Sequence, residues 1–198
     1  MLPPDVDGFI PPHGGYEKLL SYQKALIVYD GTVFFVKKWL PRCGDRTVDQ
    51  MVQAARSGKQ NIVEGSVASG TSKETEIKLT NVAKASLEEL KEDYKDFLRN
   101  RGLSQWPEEH RYARRFRALN RTPGADYNTF KKGIENADPE VAANVLLGLV
   151  RVTCYLLDRQ IKALEQAFLN EGGLRERMTR ARLQRRASNA RSDAMERY

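Results

Sequence analysis

The stretch that decides the fold is Leu79-Thr80-Asn81-Val82-Ala83-Lys84-Ala85-Ser86-Leu87-Glu88-Glu89-Leu90-Lys91-Glu92-Asp93-Tyr94-Lys95-Asp96-Phe97-Leu98. Leu79, Val82, Ala83, Ser86, Leu87, Leu90, Tyr94, Phe97 and Leu98 recur at spacings of three and four, while Lys84, Glu88, Lys91, Glu92 and Lys95 take the other face. A strand would alternate every second residue, so the pattern predicts a long amphipathic helix that runs to Gly102. Upstream, Thr71-Ser72-Lys73-Glu74 reads as a capping box, with the Thr71 hydroxyl and the Glu74 carboxylate satisfying each other's free backbone N–H groups.

Working outward, the same periodicity predicts three further long helices. The second starts near Thr47 to Asp49 and reaches about Ala68, with Met51, Val52, Ala55, Ile62 and Val63 facing inward and a loop from Gly65 to Gly70 breaking it. Its centre, Ala54-Ala55-Arg56-Ser57-Gly58, is small enough for a neighbouring helix to approach closely. The first helix spans about Tyr16 to Leu40, with a seam of Leu19, Tyr22, Leu26, Tyr29, Val33, Val36 and Leu40, widened by Ile27 and Phe34, and Pro41 ends it. Gly31 within it costs roughly 1 kcal/mol relative to Ala, which close approach of a neighbour would explain.

The fourth opens at Asp138-Pro139-Glu140, Asp as N-cap and Pro at the first helical position, and ends at Gly172-Gly173. Between Val145 and Leu157 it is apolar nearly all round, so it must be buried on more than one side. Val150, Leu157, Ile161, Leu164 and Phe168 are assigned to the core, and Val145, Leu149, Val152 and Leu156 to a subunit contact. An apolar run of thirteen residues that contains Arg151 is too short to span a bilayer. Residues 103–138, with Trp106-Pro107, Pro123-Gly124 and Arg111, Arg114, Arg115 and Arg117, read as an insertion of two short helices and turns.

The chain is therefore expected to be all-α, with a flexible segment over 1–15, a bundle over 16–173 that contains the 103–138 insertion, and a basic tail over 174–198. The 198 residues carry a formal charge of +7. The tail holds eight arginines against three acids, a net of +5, which leaves +2 for everything else. Leu174, Met178 and Leu183 can support only a short helix there. Arg175, Arg177, Arg180, Arg182, Arg185 and Arg186 are the candidate phosphate contacts, since guanidinium groups match phosphate geometry. Nothing in the first fifteen residues has the apolar run of a secretory signal, and Cys43 and Cys154 match no metal-ligand spacing, so a reducing cytoplasmic setting is expected.

Catalytic constellations are wanting. Gly65-x4-Gly70-Thr71-Ser72 has part of the spacing of a phosphate-binding loop, but Thr71 stands where the lysine is needed and a helix precedes it instead of a strand. Glu64, Glu88 and Glu89 lack the Glu-x-x-His partners of bundle di-metal sites, because the only histidines are His13 and His110. Cys154 sits in the most apolar helix and reads as a buried, inert thiol. Trp39 and Trp106 read as packing residues. No catalytic residue, metal or cofactor is expected, and an enzyme ranks below a binding protein or a scaffold.

Ala54-Ala55-Arg56-Ser57-Gly58-Lys59-Gln60-Asn61-Ile62-Val63-Glu64-Gly65, then Ser72, then Ala83-Lys84-Ala85-Ser86-Leu87-Glu88-Glu89-Leu90 resemble the four-helix-bundle proteins encoded in ribosomal RNA intervening sequences. Gly14-Gly15-Tyr16, Thr71 to Ala83 and Leu156-Leu157-Asp158-Arg159-Gln160 resemble more narrowly the subgroup with an added C-terminal suffix. The resemblance implies an up-down four-helix bundle, assembly as a homo-oligomer, often a pentamer, and no enzymatic activity. Among related proteins it includes the basic accessory variability factor of diversity-generating retroelements, which binds a reverse transcriptase and nucleic acid. Gly58 and Lys59 depart from the usual Ile-Pro. Ala54, Ala55, Ser57, Asn61, Glu64, Gly65, Ser86 and Glu89 are the motif residues, read as specifying fold and assembly, with Asn61 and Glu64 bonding the connection near Gly65. The leading expectation is an oligomer that binds RNA or DNA through its tail; the rival is a scaffold or adaptor that binds another protein. No membrane partner is expected.

Overall fold

A computed structural model describes residues 13–40 and 46–195, without the side chains of 190–195. Residues 1–12 of the expected flexible segment, the Pro41 stop and Cys43 lie outside the described residues. All regular structure among the described residues is helical: a 3-10 turn at Tyr16–Lys18, then α1 Leu20–Trp39, α2 Arg46–Ala68, α3 Lys73–Asn100, α4 Arg111–Asn120, α5 Tyr127–Ile134, α6 Pro139–Glu171 and α7 Leu174–Met195. That is more helix than four long elements and a tail.

Four helices pack in a ring, α1 on α2, α2 on α3, α3 on α6 and α6 back on α1. Each junction is marked by side chains far apart in sequence. A Cβ on Gly31 would sit 2.5 Å from Leu146 Cδ2, and one on Gly58 would sit 2.7 Å from Leu87 Cγ, so both glycines stand at close crossings of α1 with α6 and of α2 with α3. The Lys84 ammonium meets Asp158 at 2.5 Å between α3 and α6, and Ser21 Oγ donates to Gln160 Oε1 at 2.6 Å between α1 and α6. Inside, Phe35 stacks edge-on against Tyr94 and Phe97 at 5.1 and 4.7 Å. Thr32 Oγ1 donates to the Val28 carbonyl, so the buried Tyr94 hydroxyl donates in turn to Thr32, 2.9 Å away.

The seam expected for α1 is rotated. Ser21, Lys24, Ala25, Ile27, Val28, Gly31, Thr32, Phe35 and Val36 are buried, whereas Leu26 is exposed. The core stripe contains Lys24 and Thr32, polar types that disguise it, while Leu19, Tyr22 and Tyr29 pack on its margins. In α3, Val82 is exposed and Thr80 takes the buried place one turn above Glu76. The break expected at Gly65 is absent: α2 continues through it to Ala68, because Gly65 lets α3 approach, with Glu76 O and Leu79 Cβ 3.3 and 3.4 Å from where a Cβ would stand. The cap of α3 is Ser72, not Thr71. Both Thr71 and Ser72 N–H groups close the end of α2 on Ala68 O, and the Ser72 hydroxyl accepts from Thr75 N–H. Gly14 N–H also reaches Ser66 O, which ties residues 13–15 to the end of α2 instead of leaving them loose.

Asp138 caps α6 with Pro139 in the first turn, as expected. The two short helices of the insertion are present, and they account for the apolar circumference of α6. Gly133 of α5 lies against Val145, and Phe116 of α4 lies against Gly148, so Val145 and Leu149 are buried within the chain. That half of the expected subunit contact is thus an internal one, whereas Val152 and Leu156 are only partly covered. In compensation, the seam assigned to the core overshoots the body: Leu157 is buried, Ile161 and Leu164 are half-covered, and Phe168 is exposed. An 18-residue window of the long helical stretch has a mean hydropathy of 1.6, yet 61% of it is buried among the other helices.

Candidate nucleic-acid interface

The largest correction concerns the tail. In place of a short helix, α7 extends from Leu174 to Met195. Gly172, at φ 71, ends α6 while its N–H donates to Phe168 O, and Gly173 N–H donates to the Glu176 carboxylate at 2.8 Å, which starts the new helix. The acid in the first turn of α7 therefore works as a cap, favourable at a helix N-terminus.

Arg175, Arg180, Arg182, Arg185 and Arg186 are exposed and Arg177 is half-covered. Among the described residues none of the six takes part in an ion pair. At about 100° per residue, Arg175, Arg182 and Arg186 fall within roughly 40° of one line along the helix, with Arg177 and Arg180 on the opposite side. Leu174, Met178 and Ala181 lie between these two sides, with Arg185 among them. An isolated helix with guanidinium groups on two sides presents charge to an anionic surface and to the walls of a groove alike.

The motif at the crossing of α2 and α3 is a different kind of place. Ala54 and Ala55 are buried, and a chain of hydrogen bonds crosses beside them. Asn61 Nδ2 donates to Ser57 O and Ser57 Oγ, at 2.9 and 3.1 Å. The Ser57 and Ser86 hydroxyls are 3.0 Å apart, and because Ser86 donates to Val82 O, Ser57 is the donor between them. Asn61 thus bonds within α2, to the serine that reaches α3, and not to the connection near Gly65. Glu64 is exposed and has no hydrogen-bond partner among the described residues. Glu89 lines a groove of about 670 Å³ with Arg46, Asp49, Ser57, Ser86 and Asp93. Burial, then Asp96 and Glu89, push the Asp93 carboxyl above its ordinary range. Asp49, Glu89 and Asp93 outnumber Arg46 in its lining, so the groove is a poorer place for a phosphate than α7.

Glu88 lies apart from Glu64 and Glu89 in function: it pairs with Lys91 and faces Cys154. Burial first, then Glu88, push the Cys154 thiol up to about 12, far from the reactive thiolate range. Among the described residues no three His, Cys, Asp or Glu side chains converge as metal ligands. Where the sequence showed part of a phosphate-binding loop, the His13 ring packs on Gly70 and Gly65 is helical. Trp106 is 9% exposed, with its indole N–H donating to Glu140 and its backbone N–H to Asn144, which makes it a packing residue. Trp39 is half-buried beneath the Lys38 ammonium, 4.9 Å from the ring.

Two features of the surface were not singled out from sequence. One is the length of α7, hidden because its apolar residues are too few for a helical stripe. The other is a cavity under α4, signalled only by the arginines of the insertion. No family profile, curated protein or solved structure matches the chain.

Proposed function

We propose that the protein is a non-enzymatic, cytoplasmic, homo-oligomeric four-helix bundle that binds RNA or DNA through α7. The four bundle members are α1, α2, α3 and α6, running up and down in turn. Two things support this reading: the ring of helix contacts, and the likeness of the α2 and α3 motifs to the intervening-sequence proteins, from which the pentamer is taken. The observation that carries the nucleic-acid reading is that six arginines stand on a helix that projects from the body, with no acid paired to them among the described residues. Counterion release from a polyanion is the energy such a helix can harvest, and phosphate contacts position a protein without reading bases.

Removal of residues 174–198 tests it. Fluorescence anisotropy on labelled duplex and single-stranded probes, over a series of salt concentrations, is expected to show weaker binding and a flatter salt dependence for the truncated chain. On duplex DNA each phosphate contact contributes about −0.9 to the slope of log affinity against log salt, so the slope should fall by several units per protomer. Equal affinities and slopes would remove α7 from the mechanism.

The scaffold alternative has one observation in its favour. Leu169 is 74% exposed and Phe168 37%, so the end of α6 at its junction with α7 offers apolar surface that a protein could cover. Absence of binding by either form at low salt would favour it.

A further inference from the structure

Between α4 and the outer face of α6 lies a cavity of about 260 Å³. Trp106, Phe116, Phe130 and Val145 make its walls, and Arg115 and Lys132, both exposed, stand at its mouth. Its remaining polar groups already have partners. The Thr129 hydroxyl is bonded to Asp126, the Asn136 side chain accepts from Asp138 N–H and donates to Lys132 O, and the Tyr112 hydroxyl accepts from Arg111. Arg115 and Lys132 take part in no ion pair among the described residues. A ligand entering here therefore meets aromatic and aliphatic surface inside and, at the rim, two cations without an ion-pair partner, the other free groups being donors such as the Tyr112 hydroxyl proton.

We infer that this cavity is a binding site for a small amphipathic anion, an apolar ring system or short chain ending in one anionic oxygen group. The chemistry follows from what the lining leaves unsatisfied. A polyol or sugar would lose its water and find only acceptors that are already bonded, at a cost for each unpaired hydroxyl. A neutral hydrocarbon would leave the two cations unused. An apolar body bearing a carboxylate or phosphate fills the walls and pairs with a guanidinium that can bind it through two parallel hydrogen bonds. The volume lies just below the range of about 300–1,000 Å³ typical of drug-sized sites, which limits the body to roughly two fused rings. α4 contributes no fully buried residue: Ala113, Phe116 and Leu119 pack on the core while staying partly exposed, so α4 covers the cavity without closing it off. This inference is independent of the nucleic-acid reading.

Titration calorimetry with four probes tests it: 2-naphthoate, 2-naphthyl phosphate, neutral 2-naphthalenemethanol and acetate. In the full chain both naphthyl anions are expected to bind at least about tenfold more tightly than the alcohol, and acetate to give no heat. The tighter of the two anions identifies the head group. The protein lacking residues 174–198 should give the same affinities, which separates the cavity from anion binding by α7. The double variant R115Q/K132Q should keep the alcohol's affinity and lose the preference for the anions; both side chains are exposed, and a circular dichroism melt checks the fold. Should the double variant melt early, the single variants R115Q and K132Q each replace it. Equal binding of alcohol and anion by the full chain overturns the site, as does no binding of either anion at millimolar concentration. Loss of the signal on removing residues 174–198 would do the same.

Discussion

Gly58 shows how much of the α2–α3 crossing depends on a missing methyl group. Replacing Gly by Ala inside a helix ordinarily stabilises by about 1 kcal/mol. Here the new Cβ would fall 2.7 Å from two carbons of the fully buried Leu87, so Gly58→Ala is expected to be a net loss of about 1 to 2 kcal/mol in a urea melt. Ser86, although it touches Ser57, also borders the open groove, so a larger side chain there has somewhere to go. The small-residue run was legible as a close crossing, but which residue is closest was not, since composition gives proximity and not rotation. Lys24 makes a second case. It is 6% exposed, lies over the Phe130 ring at 4.9 Å, and burial lowers its pKa below the ordinary lysine value. The folded state thus binds this proton less tightly than the unfolded chain, so its contribution is unfavourable while the ammonium is charged and is relieved as pH rises through the lowered value. Lys24→Met is expected to stabilise by about 1 kcal/mol at pH 7, with the gap to the wild type narrowing as pH rises toward 10 in paired urea melts. A lysine in a buried stripe is what rotated the expected seam of α1, because a pattern of apolar letters cannot see an alkyl stem that packs as carbon.

At the level of elements, the long helices were readable wherever a stripe met a punctuating residue, as at Asp138-Pro139 and Gly172-Gly173. Boundaries failed where two neighbouring residues could serve the same purpose. Thr71 and Ser72 both carry hydroxyls, and only the closing of α2 on Ala68 decides that Ser72 caps α3. The insertion failed differently. Its two short helices were anticipated, yet their docking onto α6 was not, because no local pattern says which of two apolar faces an intervening segment will cover. Gly133 and Gly148 were the traces of that docking in the sequence. α7 was missed as a long element since it buries none of its described side chains fully. The same fact yields an expectation: the chain without residues 174–198 should melt at the temperature of the full chain, as followed by circular dichroism, with only the helical signal of the missing segment lost. A lower melting temperature would mean that α7 braces the body.

On the scale of the whole molecule, the proposed assembly rests on the resemblance, and the apolar surface left over for any protein contact is the partly covered Val152 and Leu156 and the exposed Phe168 and Leu169. If the pentamer is formed, light scattering after size exclusion should give five times the 22.6 kDa chain mass. A single-chain mass at micromolar concentration would refute assembly. The two consecutive glycines between α6 and α7 have a consequence of another sort. They move a net +5 onto an arm of 22 residues, about 33 Å long, while the body keeps +2. Such a separation gives each protomer a large electric dipole moment aligned with the arm. In the field of a polyanion the protomer experiences a torque that turns the arm forward before any contact is made, so orientation, and not only attraction, is imposed during diffusion.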